Sequence, residues 1–77
     1  MMNRKIKDIY VTFVSSKDQF PLVFAVRLPD NYEKIYKVSE YEFRSARCSV
    51  RDYVENSILD YYESLGEHPP AFRIFFD

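Results

Sequence analysis

The chain is poorest in the residues that most often carry chemistry: one cysteine, one histidine, one glycine and no tryptophan among 77 residues. The lone Cys48 excludes an intrachain disulfide framework and fits a reducing compartment. A single glycine, Gly66, excludes the glycine-rich loops that let backbone close on a phosphate. One histidine and one cysteine form no pair at metal-ligand spacing, and the carboxylates are scattered, so neither a metal nor any other cofactor is expected. No apolar run is long enough to cross a bilayer or to form a signal-peptide core, because Lys7 and Asp8 interrupt the N-terminal candidate MMNRKIKDIY. The expected setting is cytoplasmic, with no membrane partner. Charge of one sign is also lacking: eleven Lys and Arg stand against twelve Asp and Glu, a net of −1.

What is present is packing material. Hydrophobic residues make up 47% of the chain, with seven Phe and seven Tyr, each burying a large area for few rotatable bonds. With no linker, low-complexity tract or repeat, residues 1–77 are expected to form one compact domain.

One stretch, Ser49 to Gly66, reads as a helix from end to end. Ser49 with Asp52 three residues on is an N-terminal capping pattern, Gly66 suits a left-handed close, and Pro69-Pro70 forbids continuation. At about 100° per residue, Val50, Val54, Ile58, Tyr61 and Leu65 form a core stripe flanked by Tyr53 and Tyr62. Leu59 falls nearly opposite that stripe, amid Asp52, Glu55, Asn56, Asp60 and Glu63, and is expected outside.

The remaining elements read as strands. From Lys5 to Ser16, Ile9, Val11 and Phe13 alternate with Tyr10, Thr12 and Val14. After the polar break at residues 15–19, Leu22, Phe24, Val26 and Leu28 alternate within Phe20 to Leu28, with Pro21 at the strand start or on an edge. Pro29-Asp30-Asn31 has turn chemistry. A third strand is expected from Tyr32 to Ala46, with a bulge or break near Ser39-Glu40, because Tyr36 and Val38 are even whereas Tyr41 and Phe43 are odd. A last strand, Ala71 to Phe76, follows the helix. The expected fold is α+β, order βββαβ: an antiparallel three-stranded meander, one amphipathic helix on one sheet face, then a C-terminal strand that would pair in parallel beside the first.

Function is read by weighing surfaces. His68, before Pro69-Pro70, is an ordinary loop histidine. Cys48 lies between Arg47 and Arg51, a setting that suits a reactive thiol, but a small residue at a strand-to-helix junction more often simply packs. A non-enzymatic binding module is therefore expected. The partner-binding candidates are Leu59 and Tyr62 within a rim of Asp52, Glu55 and Glu63, an apolar anchor in a polar border facing a protein partner. Such a module would suit a phage or mobile-element accessory protein that occludes a host protein. The alternative is RNA or single-stranded DNA on the tyrosine-rich third strand, through Lys34, Tyr36, Lys37, Tyr41, Arg44 and Arg47. Against that alternative, residues 1–47 hold nine Lys and Arg and six Asp and Glu, an excess of only +3, while residues 48–77 carry −4. A homodimer is also expected from an exposed sheet face or edge bearing Tyr10, Val14, Val23 and Phe75.

Overall fold

The computed structural model describes residues 6–16 and 19–77. The expected strand start at Lys5, the segment MMNRK, and Lys17-Asp18 of the polar break lie outside the described residues. Ile9 and Val11 of β1 (Lys7–Phe13) have no exposed surface, and Leu22, Phe24 and Val26 of β2 (Leu22–Arg27) are equally covered. These are the alternate positions that a half-buried strand turns inward. β1 and β2 pair antiparallel, and β2 pairs antiparallel with β3 (Glu33–Val38). Pro21 lies just ahead of β2, where its missing N–H costs no ladder bond. In the Pro29-Asp30-Asn31 turn, Asn31 has φ 66°, its N–H donates to the Leu28 carbonyl, and the Asp30 side chain accepts from the Tyr32 N–H at 3.2 Å.

The third strand is shorter than the sequence implies. It stops at Val38, and residues 40–46 form a helix, α1 (Glu40–Ala46). Ser39 is its N-cap: the hydroxyl accepts from the Glu42 N–H at 3.1 Å, and the Glu42 carboxylate accepts from the Ser39 N–H at 3.2 Å. That reciprocal capping box satisfies backbone donors a continuing strand would have sent elsewhere. The parity change at Ser39-Glu40 is thus the switch from a two-residue to a 3.6-residue period. Phe43 packs inward against Phe20 and Tyr53, with ring centroids 5.9 and 5.7 Å away, while Tyr41 is 82% exposed. α1 closes at Arg47, a non-glycine residue with φ 53°.

The long helix, α2 (Val50–Ser64), begins at Ser49, whose hydroxyl accepts from the Asp52 N–H at 3.1 Å. It closes through Gly66, φ 75°, whose N–H reaches the Glu63 carbonyl at 2.9 Å. Val54 and Ile58 are buried in the core and Val50, Tyr61, Tyr53 and Tyr62 pack against it. Leu65 is an exception to the expected stripe, 51% exposed at the C-cap of the helix.

β4 (Phe72–Phe76) joins in parallel beside β1, giving one mixed sheet of order β3-β2-β1-β4. The fold is therefore α+β with four strands and two helices among the described residues, βββααβ instead of βββαβ. β3 and β4 run the same way on opposite edges, so the chain must cross back over two strands between them. α2 makes that crossing and covers one sheet face.

Candidate interaction surface

The same alternation that buries one sheet face fixes what the other presents. On the helix-free side lie Asp8, Tyr10 and Thr12 of β1, Val23, Ala25 and Arg27 of β2, Glu33, Ile35 and Lys37 of β3, and Arg73 and Phe75 of β4, each out of phase with the buried positions. Tyr10 and Phe75 are cross-strand neighbours whose rings stack at 5.3 Å and 22°, yet they remain 45% and 40% exposed. Ile35 stands opposite Ala25 and is 64% exposed; Val14, beside Val23, is 68% exposed. An aromatic pair and two branched side chains thus lie open on a sheet face that no helix of the described residues covers.

Charges on this face are matched. Arg73 donates to the Asp8 carboxylate at 3.1 Å, Arg27 sits across from Glu33, and the Asp77 carboxylate accepts from the Thr12 hydroxyl at 2.9 Å. Among the described residues Arg27, Lys37 and Arg73 equal in number Asp8, Glu33 and Asp77 on this face.

The acidic helix surface does not assemble as the sequence implies. Leu59 is half-buried, not outside. Arg51 and Glu55 on its i, i+4 ridge line a cleft against Phe72, Ile74 and Phe75, so β4 flanks the side of α2 that a helical wheel leaves to solvent. Tyr62 packs against the core and lines a different cavity. Asp52, Glu55 and Glu63 are exposed, but they surround no exposed apolar anchor.

The six basic and tyrosine candidates are dispersed as well. Lys34 and Tyr36 face the helix side of β3, where the Lys34 ammonium lies 5.4 Å from the Tyr36 ring centroid and 5.6 Å from that of Tyr61. The Tyr36 hydroxyl donates to the Ser57 carbonyl, and its pKa is pushed up to about 12 by burial first, then by Tyr61, Asp60 and Tyr32. Lys37 points to the opposite sheet face. Tyr41, Arg44 and Arg47 belong to α1 and its cap; Arg44 pairs with Glu40 at 2.7 Å and lies over the Phe20 ring. No continuous basic stripe results.

At the far end of α2, a cavity of about 350 Å³ opens between Leu28, Asp30, Tyr61, Tyr62, Glu67 and His68, and Lys7 also reaches it. The Tyr62 phenol is pushed up by burial, then by Asp30, Tyr61 and Glu67. His68 is exposed there, and Cys48 is half-buried at the junction of α1 and α2. Among the described residues no three His, Cys, Asp or Glu side chains are grouped so as to hold a metal ion, and no helix is long and apolar enough to cross a membrane.

No protein-family model, no curated protein and no solved structure matches the chain.

Proposed function

We propose that the chain is a non-enzymatic binding module that docks another protein on the helix-free face of its sheet. The observation that carries this is the stacked Tyr10–Phe75 pair, open to solvent on the same sheet face as Ile35, where the charges of the described residues balance in number. Exposed aromatic side chains supply the strongest anchors at protein interfaces. Tracking a nucleic-acid strand asks for the reverse, unmatched cations along the stacking surface. Arg27 and Arg73 have carboxylates at hand, which supports a protein partner over RNA or single-stranded DNA. A cytoplasmic accessory protein of a phage or mobile element, occluding a host protein, would need no more than this surface.

The test is affinity capture from the source cell's lysate with identification by mass spectrometry. A protein retained by the wild type should be lost at least tenfold with Ile35→Glu and Tyr10→Ser, and kept with Glu63→Arg. Retention by both face variants together with loss in Glu63→Arg moves the interface to α2.

A further inference from the structure

We propose that two copies of this chain pair through β4, antiparallel and in register about Ile74, to form a continuous eight-stranded sheet. The two edges of the sheet differ. β3 carries Glu33, Lys34 and Lys37, the charges that ordinarily keep an edge from pairing, whereas β4 reads Phe72-Arg73-Ile74-Phe75-Phe76, with one charge and no internal proline. The Lys7 N–H donates to the Ala71 carbonyl and the Asp77 N–H to the Val11 carbonyl, so the odd-numbered residues of this segment turn their peptide groups towards β1. Phe72, Ile74 and Phe76 therefore aim theirs out of the sheet. The cleft of about 370 Å³ beside β4, bounded by Arg51 and Glu55 above and by Phe72 and Ile74 below, shows that α2 leaves this edge uncovered.

A second copy is the occupant that the side chains fit. With the two-fold axis at Ile74, Phe72 opposes Phe76 of the other copy, and both residues exchange their N–H and C=O groups, as Ile74 does with its counterpart. Arg73 then faces Phe75 across a non-hydrogen-bonded position, where side chains approach most closely. The Arg73 guanidinium already lies 5.6 Å from the Phe75 centroid within one chain, so the cation and ring suit each other. Arg51 and Glu55 on the adjoining flank of α2 are of opposite sign, so the axis brings no block of like charge together. Because the axis is normal to the sheet, both helix layers fall on one side and both Tyr10–Phe75 pairs on the other. The pairing does not rest on what the helix-free face binds.

Sedimentation equilibrium on the full chain tests the mass, expected at twice 9.3 kDa and falling on dilution. Phe75→Arg sets two arginines against each other across the axis and should raise the dimer dissociation constant at least tenfold, while circular dichroism shows a folded chain. Arg73→Glu/Phe75→Arg restores opposite charges and should recover most of the loss. Amide exchange needs no variant: the N–H groups of Phe72, Ile74 and Phe76 should be protected in concentrated wild type and lose protection on dilution. A wild type that stays at 9.3 kDa up to about 1 mM overturns the proposal. So does a dimer that survives Phe75→Arg, or one whose three outward amides exchange freely.

Discussion

A carboxylate at position 54 would have no route to water, since Val54 is fully covered between α2 and the sheet. Val54→Asp is expected to abolish the cooperative thermal transition seen by circular dichroism, because burying an unpaired charge costs more than a chain of this size can lose. Tyr36 sets a pH limit. Its folded pKa of about 12 lies above the ordinary value near 10, so the neutral phenol is favoured in the fold. That contribution is fully present below pH 10 and is lost as pH rises from 10 to 12; for a ring partly open to solvent it is on the order of 1 kcal/mol. Urea midpoints measured across that range should fall less steeply for Tyr36→Phe than for wild type. Leu59 shows the reach of sequence at this scale. Its angle on the helix was legible, but the position of β4 alongside Arg51 and Glu55 was not, because a helical wheel contains no neighbour. Leu59→Ala should accordingly cost about 1 kcal/mol in chemical denaturation, the worth of half a buried leucine, and leave partner capture unchanged.

At the scale of elements, local signals located β1, β2 and α2 because each keeps one period over its whole length. The third strand failed where two periods meet. Tyr36 and Val38 alternate as a strand, Phe43 faces the core as a helical residue, and the Ser39-x-x-Glu42 pattern between them is itself a helix start, the same kind of signal that located Ser49. The change of parity marks a bulge or a break near Ser39-Glu40 without deciding between them; the capping box makes it a break, with a helix instead of more strand beyond it. Ser39→Ala should therefore cost about 1 kcal/mol, and Glu42→Ala somewhat less, each measured as a shift in denaturation midpoint with the slope unchanged. A strand with a bulge at Ser39 would be nearly indifferent to both. Gly66→Ala should also cost about 1 kcal/mol. There is open space around the missing Cβ, so the loss comes from the left-handed backbone at φ 75° and not from a clash.

For the whole molecule, sequence patterning made the two-layer arrangement legible, since a meander and an amphipathic helix each need the other's apolar face. It also placed Tyr10, Val14, Val23 and Phe75 away from the core. With Ile35 they make up the proposed docking face. The register sets Arg27 against Glu33, and Phe75 against Tyr10 through the parallel pairing of β4 with β1 that the sequence implied. The same ordering governs how the molecule treats polyanions. The first 47 residues carry +3, and among the described residues their cations lie on α1 and its cap, on the helix side of β3 and on the open sheet face, while Arg27, Arg44 and Arg73 each have a carboxylate nearby. A strand of nucleic acid laid on any one surface of the described residues would meet few free cations and release few counterions. Titration with random single-stranded oligonucleotides should therefore show weak binding, with a slope of log affinity on log salt shallower than about −2. Captured protein should instead hold through a salt wash, since apolar anchors are not screened. A slope near −5 would mean that about seven phosphates are neutralised, more than the unpaired cations on any single face of the described residues, and would put Lys34, Lys37 and Arg47 at the head of the next set of variants.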